Sequence, residues 1–325
     1  MKKYILGLLS IVTFFFSSCS NDEDIEIAYN STFKIMPSSV IASFKPYYSG
    51  DFDLDSGDKL RTSIFIYNEA GNLLTSETAY LNGYSENMTF SVPLPAGNYT
   101  VVATTDVVTV SNQKVSFEYW LYEDFEKLTT FKITDTGYVG YDDKILGVSS
   151  FNIEVNGQKD ISIPVQPAGA LIIAYYEGIH YYSDVVYAEF SHSRKADYIY
   201  FDINGSSSVN IISSGSFSYR KSYLDLTSSY YDDSNNIYSY CFNLPDPQFE
   251  CRFYLRTDDG SGYNFDIMKM NLQAGQQYLV KFNFENRASD YTLTNSASAS
   301  ASQIQLPAKS EKQVLKVKDI VTKDY

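Results

Sequence analysis

The chain has little of what cofactor chemistry usually requires. Its 325 residues include one tryptophan, two histidines, three cysteines and five methionines. The histidines, His180 and His192, have no cysteine or fitting acid at ligand or triad spacing, which argues against a zinc site or a catalytic triad. Motifs of the GxSxG, HExxH and phosphate-loop kinds do not occur. Basic residues are also few. Lys and Arg total 25 against 39 Asp and Glu, for a formal charge of −14. Such a chain repels nucleic acid, because phosphate contacts need clustered Lys and Arg. Sustained helical periodicity is missing, which disfavours an α/β enzyme fold. Acids are so frequent that paired carboxylates say nothing about glycoside hydrolysis. The expectation is a non-enzymatic protein without a cofactor.

Tyrosine and phenylalanine, by contrast, are abundant, at 30 and 21 residues. With Val, Ile and Thr they suit a pleated, half-buried surface. Short apolar runs separated by turn signals recur along the whole chain. SSVIASFKPYY (38–48) reads as a first strand region. RTSIFIYN (61–68) follows, apolar on both faces as a sandwich strand would be. LLTSETAY, MTFSVPL, YTVVATTD, FEYWLY and KLTTFKIT continue the pattern. FNIEV and ISIPV flank Asn156-Gly157, a strong hairpin signal. After Pro167-Ala168-Gly169 a second set begins, running from ALIIAYY through VVYAEF, DYIYFDI, VNIIS, IYSYCFNL, CRFYLRT and YNFDIMKM to YLVKFNF. This regularity predicts an all-β protein built of two tandem β-sandwiches, 30–165 and 166–286. The Ser-rich stretch 287–325 is expected to be a flexible tail.

The N-terminus has a different character. Lys2 and Lys3 precede an apolar run over residues 4–16, then Ser17, Ser18 and Cys19, then Asn21, Asp22, Glu23 and Asp24. The run is short for a membrane span, which needs about 20 apolar residues. The order basic, apolar, small, cysteine is that of a secretory signal with a thiol on the mature side of its cleavage site. Phe16-Ser17-Ser18-Cys19 resembles a lipobox, with Phe16 where Leu is usual. The resemblance implies a signal peptide over 1–18, lipidation of Cys19, and an acidic tether over 19–29. Removing residues 1–18 takes away two lysines and no acid, which moves the formal charge from −14 to −16. Several acyl chains hold a protein on a membrane where one alone is marginal. No second apolar run reaches spanning length.

Three further groups of residues are candidates for chemistry. Cys241 and Cys251 lie on either side of LPDPQ, which reads as the turn of a hairpin. They are expected either to bridge across the ladder or to stay as buried thiols. Asp51, Asp53 and Asp55 have the alternate spacing of a calcium loop. The glycine comes one position late, at Gly57, and Thr62 stands where a closing Glu belongs, so a solvated loop is the favoured reading. Tyr230, Tyr231 and Tyr238, set among Asp and Asn, could form an aromatic platform for sugars.

Two phrases recur at matching places in the halves: LPAGNYTVVA (94–103) and LQAGQQYLVKF (272–282). Both run from Leu through Ala-Gly to a Tyr that leads a strand. The Gly is expected to take a positive-φ turn. With IFIYNEAGNLL and VQPAGALI, these phrases resemble the fimbrillin superfamily of Bacteroidetes-type surface lipoproteins, nearest its fimbrial anchor and accessory subunits. The resemblance covers residues 1 to about 285. It implies two transthyretin-like sandwiches behind a lipidated cysteine, an outer-membrane location facing the cell surface, and fimbrial partners joined by β-strand addition. Stalk subunits of that family are cleaved after an Arg that ends the first strand. The only Arg in the first half, Arg61, precedes a strand and is not expected to serve so. An alternative expectation is a surface glycan-binding lipoprotein for nutrient uptake.

Overall fold

Alternation dictates the first element. In AYNSTFKIM, Ser31, Phe33 and Ile35 share one side of an extended chain, and β1 (Ala28–Met36) buries all three. The computed structural model describes residues 27–44, 52–136, 145–177, 185–193, 196–211, 220–225, 238–264, 267–283 and 288–293. The strand expected at 38–48 is corrected within this range. Ser38–Ala42 forms the helix α1, with Val40 buried against the core. Pro37, at φ −62° and ψ −29°, presets a helical start, and its carbonyl accepts from the Val40 N–H at 3.0 Å.

The chain is all-β. After α1 come β2 (Asp58–Asn68), β3 (Leu73–Leu81), β4 (Met88–Pro95), β5 (Gly97–Ser111), β6 (Lys114–Glu118), β7 (Trp120–Glu123), β8 (Lys132–Asp135), β9 (Gly147–Val155), β10 (Lys159–Pro164) and β11 (Gln166–Pro167). A three-stranded sheet runs β10-β1-β4, and a six-stranded sheet runs β11-β9-β5-β2-β3 with β6 on β5. The core explains why RTSIFIYN is apolar on both faces. Leu60, Ile64 and Ile66 lie on one side of β2 and Phe65 and Tyr67 on the other, and all five are buried.

The second set is β12 (Ala170–Glu177), β13 (Val185–His192), β14 (Ala196–Phe201), β15 (Ser207–Ile211), β16 (Arg220–Asp225), β17 (Tyr238–Asn243), β18 (Asp246–Thr257), β19 (Gly262–Asn264), β20 (Met268–Leu272), β21 (Gln277–Asn283) and β22 (Ala288–Leu293). Its sheets are β17-β12-β21-β22 and β16-β13-β18-β19, with β20 on β18. The first of these is a middle layer. Ala170, Ile172, Ala174 and Cys241 face a core shared with Phe190, Phe249 and Phe253. Leu171, Ile173 and Phe242 face the core that holds β1 and β2. That double burial is why ALIIAYY does not alternate in polarity. The parallel β12–β21 pairing fits the same pattern. A further sheet, β15-β14-β8-β7, draws strands from both sides of residue 165.

Two expected hairpins are corrected. β9 and β10 flank Asn156-Gly157, but β9 pairs with β5 and β11 while β10 pairs in parallel with β1. Gly157 has no positive φ, so the primed turn that an Asn-Gly hairpin needs does not form. β17 and β18 likewise belong to different sheets, and LPDPQ carries the chain from one to the other. The tail expected over 287–325 is corrected at its start, where β22 pairs with β21 from Ala288↔Asn283 to Leu293↔Tyr278. Backbone pairing, together with the β-forming Tyr291 and Thr292, outweighs the polar composition there.

Gly169 marks the crossing between the two sets. A Cβ at this position would lie 2.2 Å from the Asn243 carbonyl oxygen and 2.8 Å from the Phe242 ring. Replacing Gly169 with alanine is expected to cost about 1–3 kcal/mol through overpacking. Urea denaturation of the variant would check this. A midpoint equal to that of the unmodified chain would show that the crossing can relax.

Candidate functional site

The acidic stretch after Cys19 leads in sequence to β1. This strand is central in its sheet, parallel to β10 from Ser31↔Lys159 to Met36↔Pro164 and antiparallel to β4 from Ala28↔Pro95 to Ile35↔Met88. Ala28 lies nine positions after Cys19, a reach of about 30 Å when fully extended. A pull on the residues before Ala28 would therefore load a strand held on both edges. Cys19 and the rest of residues 1–26 lie outside the described residues. Among the described residues, no helix is long and apolar enough to cross a membrane.

Arg61 is the most elaborately satisfied side chain. It pairs across β2 and β5 with Asp106, Nε to Oδ1 at 2.9 Å and Nη2 to Oδ2 at 2.8 Å. Nη2 also donates to the Trp120 carbonyl at 2.7 Å, and Nη1 pairs with Glu118. The Tyr122 hydroxyl donates to Asp106 Oδ1 at 2.7 Å, and its ring lies 4.1 Å from the guanidinium carbon. Burial opposes the guanidinium charge, but Tyr122, Asp106 and Glu118 more than offset this and hold the Arg61 pKa above its ordinary value. Burial pushes the Asp106 carboxyl up, while Arg61 and the Tyr122 hydroxyl pull it back. At 6% exposure Arg61 offers no accessible backbone to a protease in the folded chain. Its work is to tie β2 to β7, beside the ring cluster of Phe65, Phe131 and Phe201.

The paired Ala-Gly phrases do have a common structural feature, in the tyrosine more than in the glycine. The Tyr99 hydroxyl donates to the Pro95 carbonyl at 2.8 Å, and that of Tyr278 to the Asn271 carbonyl at 2.7 Å. Each phenol fixes the approach to a central strand, much as a tyrosine corner does. Gly275 has φ +73°, as expected. Gly97 does not have a positive φ, and a side chain there would make only ordinary van der Waals contact. A Cβ there would stand 3.4 Å from the Tyr99 hydroxyl.

Asp51 lies outside the described residues, and Asp53 and Asp55 are exposed. The Asp55 carbonyl instead closes a turn onto the Asp58 N–H at 3.0 Å. Among the described residues, no three acids, histidines or cysteines gather as metal ligands. Tyr230, Tyr231 and His180 lie outside the described residues, and Tyr238 is placed only as the first residue of β17. His192 is buried and stacks on Phe249 at 5.7 Å. Cys241 and Cys251 are both buried thiols in one core, approached from two facing sheets and not across a ladder.

One surface escaped the sequence reading. On the sheet that spans both halves, Tyr198 and Tyr200 lie on one face with ring centroids 6.1 Å apart. Tyr200 is 40% exposed, and the Lys132 ammonium sits 5.2 Å from the Tyr198 ring centre. DYIYFDI holds the alternation that places them together, but the partner strand β8 lies more than sixty residues away.

No family model matches the sequence, and no curated protein matches it closely enough to count as a relative. Solved structures do resemble it. One is a candidate cell adhesion protein from Bacteroides uniformis, with 13% identity over 85% of this chain and 99% of that one, at a TM-score of 0.47. Another represents candidate polysaccharide-binding proteins from Bacteroides thetaiotaomicron, with 10% identity over 78% and 91%, at 0.48. A third is a C-terminally truncated tip fimbrial protein from Porphyromonas gingivalis, with 10% identity over 82% and 99%, at 0.44. Likeness at this level is of general layout and assigns no activity.

Proposed function

We propose that this chain is a non-enzymatic cell-surface protein, held on the outer membrane by lipid on Cys19, that serves as a fimbrial anchor, accessory or adhesion subunit. The observation that carries the reading is the junction at the N-terminus. A lipobox-like cysteine precedes, by nine residues, a strand paired on both edges. Load from the lipid then acts in shear on two ladders, which must give way together. The reading keeps two transthyretin-like sandwich units that divide near residue 165, the second extended to include β22 and the two joined through the β15-β14-β8-β7 sheet, with partners recruited by β-strand addition. Cell fractionation tests it. The natural chain should sediment with the outer membrane and be digested by protease added to whole cells, and Cys19→Ala should lose membrane association. An unmodified chain found in the soluble fraction overturns the reading.

A second reading, glycan capture at the surface, is favoured by the Tyr198–Tyr200 face. Tyrosine rings flanked by Lys132 and by the polar strand β15 suit the alternating apolar and hydroxyl surfaces of a sugar. Retention on a glycan array that Tyr198→Ala/Tyr200→Ala abolishes would favour it. The absence of any retained glycan would reject it.

A further inference from the structure

We infer that Cys241 and Cys251 form a redox-closed clasp: a disulfide that joins the two sheets of the second core when the chain folds in the presence of a disulfide-bearing oxidant. Cys241 lies directly opposite Ile172 in the β12–β17 ladder, so the two side chains share a face, and Ile172 belongs to the core between the β12 and β13 sheets. Cys251 pairs with His192 on one edge and Met268 on the other, and it points into the same core with no exposed surface. The two thiols therefore approach from opposite walls of one sandwich.

The connection is short. Only Leu244 and Pro245 separate β17 from β18, so the sheets are drawn together at that corner. The arms are unequal in length, and β18 absorbs part of the difference in the register shift between Asp246 and Phe249. An inter-sheet bridge of this kind is a known way to fasten a sandwich. Burial pushes the Cys251 thiol above its ordinary pKa, and Cys241 adds to the rise. Among the described residues Cys241 and Cys251 are the two cysteines, and both belong to this core.

The chemistry balances. Cys241, 8% exposed, is the accessible member and attacks the oxidant's disulfide as a thiolate. This forms a mixed disulfide and releases one oxidant thiol. Cys251 then gives up its proton, attacks Cys241 Sγ and displaces the second oxidant thiol. The protein loses two hydrogens, and the oxidant gains them. Because Cys251 resists ionisation in the packed core, closure belongs to folding and is slow in the finished fold.

The inference does not depend on lipid anchoring, and its test leaves anchoring aside. The full chain is refolded from denaturant in a buffer of reduced and oxidised glutathione. Open thiols are blocked with N-ethylmaleimide in denaturant, and peptides are mapped before and after reduction. The expected result is a peptide joining Cys241 to Cys251, two hydrogens lighter than its parts. The oxidised chain should also melt roughly 5 °C above the reduced one. That shift should vanish in Cys241→Ala/Cys251→Ala. Maleimide on both cysteines, or separate glutathione adducts on each, would overturn the inference. Peptide mapping of the natural sequence decides the matter even where the double variant fails to fold.

Discussion

Replacing Arg61 with methionine is expected to destabilise the folded chain by about 3–5 kcal/mol at neutral pH, the range for breaking a buried pair by removing one partner. Asp106 has no exposed surface and receives two of the Arg61 hydrogen bonds. Without the guanidinium, its charge stays in the core with only Tyr122 to donate. The double change Arg61→Met/Asp106→Leu should restore a large part of the loss, because a well-packed apolar pair can replace a buried ion pair at little cost. Acidity supplies a second signature. Burial raises the Asp106 carboxyl in the folded state. The folded chain then holds a proton over a range of pH in which the unfolded chain has released it, so this group's contribution to stability falls as pH rises through that range. Removing Arg61 widens the range, and the penalty of Arg61→Met should shrink as pH is lowered through it. Urea denaturation at neutral and mildly acid pH measures both effects. A loss under about 1 kcal/mol, typical of exposed pairs, would contradict the buried network.

Phe242→Ala is expected to cost about 3–5 kcal/mol, the range for truncating a buried aromatic. Phe242 leaves the middle sheet on the side away from Cys241. It meets Trp120 edge-on at 6.3 Å and Phe44 at 6.4 Å. The ring thus fastens the second strand set to the first, and its neighbours Leu171 and Ile173 lie in the same core. Calorimetry is the measurement that checks this. The unmodified chain should unfold with its two strand sets coupled, and the variant should show a lower and broader transition. An unchanged melt would mean that the shared core carries no coupling.

Strand existence was largely legible in the residues because β-forming runs and turn signals are local. RTSIFIYN, ALIIAYY and CRFYLRT all fall in strands, and double burial was readable from apolar residues on both faces of 61–68. Pairing was far less legible. Asn156-Gly157 and LPDPQ both signal a reversal, but a reversal within a sheet and a crossing between sheets share the same local residues. Only the distant partners, β1 for β10 and β13 for β18, separate the two. β1 itself went unread, although Ser31, Phe33 and Ile35 carry the alternation, because the acidic tether beside it dominates the composition. The Arg61 network was hidden for the same reason, since Asp106, Glu118 and Trp120 are 45 to 59 residues away. Tyr99 and Tyr278 were found because the repeated phrase marks them, while the bonds that explain the repeat are visible only in three dimensions.

The most direct test of the account is metabolic labelling with palmitate, followed by mass analysis of the N-terminal peptide. The mature chain is predicted to begin at Cys19 and to carry its label there, as a thioether-linked glyceride, with none in Cys19→Ala. A mature chain that carries no label, or that retains residues 1–18, would contradict it.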